Sequence, residues 1–206
     1  NADEIVSLIT PVVKSFFTDM GVEITNEAIQ VFGGYGYTKD QGIEQLYRDN
    51  RITPIYEGTN SVQAIDLVFR KVLNNKILSN FILMIRDEIK RDKDNTELNK
   101  FATILESNLK TLEEFSTWLN NKNQNNKDDI SSACNDFLKV LGYTSLGFSW
   151  FKVIKVSLKN LNENKNFYEE KVNTAKYYYD KILPRAQMHF NSAKTGSEII
   201  MKANFN

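Results

Sequence analysis

The chain has 206 residues, of which 26 are lysine or arginine and 26 are aspartate or glutamate, so its formal net charge is +0. This balance argues against a nucleic-acid-binding protein, because such proteins usually carry a basic surface. The single cysteine, Cys134, excludes an internal disulfide and fits a reducing, cytoplasmic location. The sequence suggests no apolar run near the roughly 18 residues of a membrane-spanning helix, so we expect no membrane span and predict no metal site.

The amino-terminal residues predict two helices. Apolar residues recur at i, i+3, i+4 and i+7 over residues 5–20, which is the spacing of an amphipathic helix. Pro11 is expected to kink this helix, and Gly21 is expected to end it as a left-handed cap. A second helix is predicted over about residues 26–32. Because the helical pattern begins so early in the sequence, we expect the chain to be a piece of a longer protein.

A turn-rich segment follows these helices. Four glycines fall within ten residues: Gly33, Gly34, Gly36 and Gly42. We then predict a short helix over residues 43–50 and an extended connector over residues 52–56, since Pro54 biases the residue before it away from the helical region. Candidate N-cap residues at 58–61 predict the start of another helix, with an apolar face that continues to about residue 73.

The pattern changes near residue 75 to longer helices, and no segment shows the alternation of a strand. The further helices are predicted at residues 77–91, 97–120, 129–160 and 168–203, with polar loops at 120–127 and 162–166. Pro184 should kink the last helix. The predicted fold class is all-α, with a helical bundle over residues 1–75 followed by a second helical domain over residues 76–206.

Glu57 is the candidate for chemistry that the residues themselves suggest. It lies between the apolar residues Ile55 and Tyr56 and a glycine that opens a helix. Apolar neighbours desolvate a carboxylate, which raises its pKa and makes it a better base near neutral pH. The backbone N–H groups of the helix start also suit a phosphate or an oxyanion. The alternative is an acidic residue placed near a positive helix end for stability alone.

The glycine cluster is ambiguous by itself. The run Gly33-Gly34-Tyr35-Gly36 would let a ligand approach the backbone, and it would equally suit a tight turn between helices. It is not a dinucleotide-binding fingerprint, because no strand is predicted before it and no helix opens directly after it.

Three motifs taken together are more specific than Glu57 or the glycine cluster alone. They are residues 30–37 (QVFGGYGY), residues 47–52 (YRDNRI) and residues 55–60 (IYEGTN). In this order and spacing they closely resemble the C-terminal signature region of acyl-CoA dehydrogenases. Residues 8–14 (LITPVVK) and 63–67 (QAIDL) are most similar to the 3-methylmercaptopropionyl-CoA dehydrogenase branch. Members of that branch carry an extra C-terminal helical domain, so the resemblance implies a partial C-terminal bundle followed by such a domain.

The resemblance implies a reaction and assigns Glu57 to it. Glu57 matches the glutamate that removes the α-proton of an acyl-CoA thioester while a hydride passes from the β-carbon to FAD. In the family, the backbone N–H of this glutamate and a flavin hydroxyl polarise the thioester carbonyl. Gln45 departs from the basic residue that members often carry, which we interpret as a difference between branches.

The resemblance also implies binding residues and partners. Tyr56 and Gly58 would contact the acyl-CoA substrate, and the residues implied in FAD binding are Gln30, Gly33, Gly34, Thr59 and Asn60. The glycine-motif contacts come from a neighbouring subunit in the family, which implies a homo-dimer or tetramer. An electron-transferring flavoprotein is the implied electron acceptor. Because the family's amino-terminal and middle domains have no counterpart in this sequence, we expect the chain alone to be inactive.

Two other functions remain open at this point. The first is a non-catalytic helical module for docking or oligomerisation that has kept the motif as scaffold. The second is an enzyme similar to acyl-CoA oxidases, which pass the electrons to oxygen. Bleaching of a bound flavin by an acyl-CoA would separate an enzyme from a module, and oxygen consumption would separate the oxidase.

Overall fold

The computed structural model describes residues 2–73, 75–92, 95–123 and 125–204. These residues form helices and turns with no strand among them, which confirms the all-α prediction. The α-helices within these ranges are α1 Ala2–Phe32, α2 Ile43–Asn50, α3 Asn60–Asp66, α4 Ile77–Arg91, α5 Thr96–Asn123, α6 Lys127–Lys159, α7 Lys165–Tyr177, α8 Arg185–Ala193 and α9 Glu198–Met201.

Helix α1 is one continuous helix of 31 residues, so the prediction that Gly21 ends it is wrong. Gly21 serves a different purpose in the structure. A Cβ added at this residue would lie 2.7 Å from the Nδ2 atom of Asn50 at the end of α2. The residue is therefore small because α2 packs closely against α1. Pro11 lies inside α1 and is buried.

The apolar character of α1 was underestimated from the sequence. By length and composition the segment Ala2–Tyr37, with a hydropathy of 1.4, is apolar enough to cross a membrane. Core helices of soluble proteins satisfy the same criterion, and α1 buries Leu8, Val12 and Phe16 in the core. Its opposite face exposes apolar side chains at intervals of four and seven residues: Val6, Val13, Phe17, Ile24 and Val31.

The connector before α3 is a series of turns, so the predicted extended conformation is wrong. The N–H of Thr53 donates to the carbonyl of Asn50 at 3.0 Å, and the N–H groups of Ile55 and Tyr56 both donate to the carbonyl of Ile52. These turns reverse the chain within a few residues, which allows α3 to pack against α1. A π-helical segment, Leu67–Val72, continues α3 into the core.

Helix α6 lies at the centre of the carboxy-terminal part and packs against α5, α7 and α8. The predicted last helix is divided in the structure. A π-helical segment, Tyr178–Ile182, follows α7, and Pro184 then immediately precedes α8. Gly196, with a φ of 75°, separates α8 from α9. Pro184 therefore interrupts the helix as predicted, whereas the second interruption was not foreseen.

The amino-terminal and carboxy-terminal parts share one hydrophobic core. Phe16 of α1 is 1% exposed, and its ring meets that of Tyr143 of α6 edge-on at a centroid distance of 4.9 Å. A Cβ added at Gly142 would lie 2.5 Å from the Cδ2 atom of Phe16. Arg185 of α8 also pairs with Glu23 of α1 at 2.8 Å. The helices on either side of residue 75 are thus in direct contact.

Two glycines of α6 provide a test of this packing. We expect Gly142→Ala to lower the free energy of unfolding by about 1–3 kcal/mol, because its Cβ would overlap the Phe16 ring. Gly147→Ala is the matched control: its Cβ would meet side-chain atoms at 3.5 Å, an ordinary contact. That variant should gain up to about 1 kcal/mol from helix propensity. Urea unfolding followed by circular dichroism measures both, and equal shifts would contradict the close approach of α1.

Candidate active site

The backbone at Glu57 is the most unusual in the described part of the chain. Its φ is 53°, and it is the one non-glycine residue there with a positive φ. Gly58 follows with a φ of 87°. The left-handed conformation costs a residue with a Cβ on the order of 1–2 kcal/mol. Strain of this kind is found at functional sites where the surrounding structure imposes it.

Hydrogen bonds from three directions hold this loop, which comprises residues 56–59 between the turns and α3. The Nζ atom of Lys14 donates to the carbonyl oxygen of Gly58 at 2.7 Å. The Nε2 atom of Gln63 donates to the carbonyl oxygen of Glu57 at 3.2 Å. The N–H of Asn60, just after the loop, donates to the carbonyl of Pro54 at 3.1 Å. The loop is thus tied to α1, to α3 and to the preceding turns.

Asn60 joins the start of α3 to α1 through its side chain. Its Oδ1 atom accepts from Lys14 at 2.7 Å, and its Nδ2 atom donates to Asp19 at 2.7 Å and to the Ser15 carbonyl at 3.1 Å. The sequence predicted a contact between Asn60 and a cofactor. In the structure its side-chain amide is engaged with α1, and its backbone N–H donates to the Pro54 carbonyl, so this residue is held mainly by contacts within the chain.

The carboxylate of Glu57 is exposed in this chain. The desolvation that the sequence suggested is therefore not provided by the described residues, and it would have to come from protein that covers the loop. Tyr56 on the amino-terminal side is 49% exposed. The Glu57 N–H donates no hydrogen bond within the described residues, so it is available to an acceptor from outside. Thr59 caps α3 by accepting from the N–H of Val62.

The glycines after α1 differ in what they do. Gly33 has a φ of 60°, which a glycine adopts without strain at the end of a helix. A Cβ added at Gly36 would lie 2.8 Å from the carbonyl oxygen of Ile29, so this glycine is needed for packing within the chain. Gly34 is needed neither for a positive φ nor for packing, because its φ is not positive and a Cβ there would meet nothing within 4 Å. Its backbone, like the nearby Gln30 side chain, is open to a group outside this chain.

The predicted site residues fall into two separate groups. Tyr56, Glu57, Gly58, Thr59 and Asn60 lie together beside Lys14 of α1. Gln30, Gly33 and Gly34 lie at the carboxy-terminal end of α1, some 18 residues further along the helix. At 1.5 Å per residue these positions are about 27 Å apart. The two groups therefore cannot contact the same small group of atoms from one copy of the chain.

Comparison with known proteins identifies the family. A family described as "Acyl-CoA dehydrogenase, C-terminal domain" matches residues 1–72. A second, described as "Acetyl-CoA dehydrogenase C-terminal like", matches residues 81–204 and so covers more than half of the chain. The chain belongs to the acyl-CoA dehydrogenase family. It corresponds to the C-terminal region of these dehydrogenases, as the three sequence motifs predicted.

Individual dehydrogenases agree with this assignment. The chain is 45% identical over 74 residues to 3-methylmercaptopropionyl-CoA dehydrogenase of Ruegeria pomeroyi, which covers 36% of this chain and 13% of that protein. It is 27% identical over 190 residues to the broad-specificity linear acyl-CoA dehydrogenase FadE5 of Mycobacterium tuberculosis, covering 86% of this chain and 31% of that one. The predicted resemblance to the former branch is confirmed, and the chain spans less than a third of either relative.

Solved acyl-CoA dehydrogenases share the fold. ACDH-11 of Caenorhabditis elegans, in complex with C11-CoA, superposes with a TM-score of 0.66 at 21% identity over 99% of this chain and 34% of that chain. An acyl-CoA dehydrogenase of Bacillus anthracis complexed with FAD gives 0.67 at 16% identity over 96% and 33%. The matches extend across both parts of the chain, so the packing of α4–α8 against α1–α3 belongs to this fold.

Lys14 is the residue of the site that sequence reasoning missed. It lies 43 positions before Glu57 and was read only as one position of a branch-specific motif. Its two short hydrogen bonds, one to the Gly58 carbonyl of the loop and one to Asn60, form only when α3 packs on α1. Lys14 is the one basic residue of α1, and this was the signal in the sequence that could have indicated such a role.

Proposed function

We propose that this chain is the C-terminal part of an FAD-dependent acyl-CoA dehydrogenase and that Glu57 is its catalytic base. The observation that carries the proposal is the strained Glu57 backbone, held by hydrogen bonds from α1 and α3 inside an exposed loop. An acidic residue placed only to stabilise a helix end needs no left-handed backbone. The family membership supports the same assignment.

In the proposed reaction the thioester carbonyl accepts a hydrogen bond from the Glu57 N–H, which has no acceptor among the described residues. This bond makes the α-carbon of the acyl group more acidic. The Glu57 carboxylate then takes the α-proton, and the electrons of that C–H bond form the double bond as hydride leaves the β-carbon. FAD supplies the hydride acceptor. The product is a 2-enoyl-CoA.

The second group of site residues, Gln30, Gly33 and Gly34, is accessible to a flavin. Gly34 leaves its backbone open where none of the described residues requires a glycine, and the nearby Gln30 is exposed. Because this group lies about 27 Å from Lys14 along α1, we propose that it serves a second flavin, bound mainly by a neighbouring copy. A homo-oligomer follows from this arrangement. Thr59 would contact the flavin near Glu57, with Tyr56 and Gly58 beside the thioester.

The exposed face of α1 supports a larger protein around this chain. Its five exposed apolar side chains recur at intervals of four and seven residues, which is the spacing of a helix-packing seam. A solvent-exposed seam of this kind is expected to be covered by further protein. We propose that the remaining domains of the dehydrogenase pack here and also bury the Glu57 carboxylate.

The proposed function is tested on the longer protein that contains this chain. Purified protein should be yellow, and anaerobic addition of an acyl-CoA should bleach the flavin absorbance. The 206-residue chain alone should neither hold the flavin nor bleach, because it has no counterpart of the family's amino-terminal and middle domains and its Glu57 is exposed. A colourless protein that binds no flavin would contradict the proposal and favour a docking module. Oxygen consumption without an added acceptor would favour an oxidase.

The finer assignments are proposals that the same assay can examine. Bleaching rates with 3-methylmercaptopropionyl-CoA and with linear acyl-CoA substrates would define the acyl preference. Electron transfer to an electron-transferring flavoprotein would identify the acceptor. The cytoplasmic location that we propose fits the single cysteine of the chain, Cys134. Burial raises the pKa of this thiol to about 12, which makes it unreactive.

A further inference from the structure

We infer that Lys14 is a positioning residue, which holds the Glu57 loop in its strained conformation from the neighbouring helix. The inference rests on the proposed function for its catalytic consequence, whereas the mechanical part can be tested without catalysis. Lys14 is the one residue of α1 whose side chain reaches the loop directly among the described contacts. Among the described residues, its ammonium group bonds only to the Gly58 carbonyl and to the Asn60 side chain.

The geometry of the loop explains why a donor is needed at this point. The Tyr56 N–H is fixed by the Ile52 carbonyl on the amino-terminal side of Glu57. On the other side, the two peptide planes after Glu57 are fixed through their carbonyl oxygens, one by Gln63 and the next by Lys14. Without these bonds the backbone could relax from its positive φ. Relaxation would turn both the Glu57 N–H and the carboxylate away from their present direction.

A charged donor suits this task better than a neutral one. Hydrogen bonds from an ammonium group are shorter and about twice as strong as neutral ones, and both Lys14 bonds measure 2.7 Å. The same ammonium group accounts for the orientation of the Asn60 amide. The Oδ1 atom of Asn60 accepts from Lys14 and its Nδ2 atom donates to Asp19, so each end of the amide has a partner of opposite charge. Lys14 and Asp19 of α1 thus form one connected network with Asn60 of α3.

A protease that cleaves after glutamate reports on the loop directly. Cleavage requires the Glu57–Gly58 bond to leave its strained conformation and enter an extended one. Lys14→Met keeps the length and apolar stem of the side chain but removes the ammonium group. In the 206-residue chain we expect this variant to be cut at Glu57–Gly58 roughly tenfold faster than the wild type. Lys14→Arg, which retains donors, should be cut at a rate between the two.

The matched control is Lys71→Met. Lys71, in the segment that follows α3, also links this part of the chain to α1. It donates to the Ser7 carbonyl of α1 at 2.8 Å and pairs with Asp66 at 3.3 Å, and it makes no hydrogen bond to the loop. Its loss should leave cleavage at Glu57 within about twofold of the wild type. Cleavage after the exposed Glu163 is the internal reference for general loosening of the fold. Equal acceleration by both lysine variants, or none with Lys14→Met, would overturn the inference.

The catalytic consequence is measured in the flavin-loaded longer protein. In steady-state turnover with an added electron acceptor, Lys14→Met should lower kcat by roughly tenfold while KM for the acyl-CoA changes by less than about twofold, because the residue orients the base and does not hold the substrate. Lys14→Arg should restore part of kcat. A parallel rise in KM, or an unchanged kcat, would contradict the positioning role. If the wild type does not bleach at all, the proposed function fails, and the cleavage assay still decides what Lys14 does.

Discussion

Replacing Glu57 with glutamine in the flavin-loaded enzyme is expected to leave the yellow colour intact and to slow bleaching by an acyl-CoA by roughly 10²- to 10⁴-fold. This range is the usual contribution of a positioned general base. The amide of glutamine has nearly the same shape as the carboxylate and cannot accept the α-proton. The backbone N–H that would polarise the carbonyl is unchanged, so acyl-CoA binding should persist.

The control for this variant is Glu163→Gln, which changes an exposed glutamate in the loop after α6. It should bleach at the wild-type rate. Stopped-flow absorbance under anaerobic conditions measures both variants. A Glu57→Gln enzyme that still bleaches within about threefold of the wild type would mean that another group takes the proton, and the assignment of Glu57 would then have to be abandoned.

Glu57→Gly separates the backbone strain from the chemistry. Glycine adopts a φ of 53° without the clash between Cβ and backbone, so this variant should gain about 1 kcal/mol in the free energy of unfolding. It should also be inactive, because the carboxylate is gone. Glu57→Gln retains a Cβ and should gain nothing. This pattern of higher stability with lost activity is the trade-off expected where strain serves function.

Replacing Phe16 with alanine is expected to destabilise the whole chain by about 3–5 kcal/mol, which is the usual cost of truncating a buried aromatic residue. The Phe16 side chain is 1% exposed and fills the space above Gly142, against Tyr143. The neighbouring Phe17 is 52% exposed and provides the control. Phe17→Ala should cost no more than about 0.5 kcal/mol.

Tryptophan fluorescence makes this prediction a test of domain organisation. The two tryptophans, Trp118 and Trp150, lie in α5 and α6, whereas Phe16 lies in α1. If the parts before and after residue 75 unfold as one unit, Phe16→Ala will shift the fluorescence transition in urea as much as the transition seen by circular dichroism. A fluorescence transition that does not move would show that residues 76–206 are an autonomous domain, as the sequence-based boundary proposes.

Much of the secondary structure followed from local sequence. Helix α2 begins at Ile43 and ends at Asn50 as predicted, and α4 begins at Ile77 and ends at Arg91 as predicted. Their apolar spacing and flanking turn residues are local signals. The errors arose where the role of a residue depends on a contact with a distant part of the chain. Gly21 was expected to cap a helix, yet it provides room for Asn50, which is 29 positions away in the chain.

The sequence by itself determined that the chain is all-α, that it belongs with the acyl-CoA dehydrogenases, and that Glu57 is its candidate base. Helical periodicity and short motifs are local properties that survive without knowledge of packing. Only the tertiary structure decided that Glu57 is strained, that Lys14 holds its loop, and that the two motif groups lie about 27 Å apart along α1. The physical reason is that each depends on which distant side chains meet, and α3 must pack on α1 before Lys14 can reach the Gly58 carbonyl.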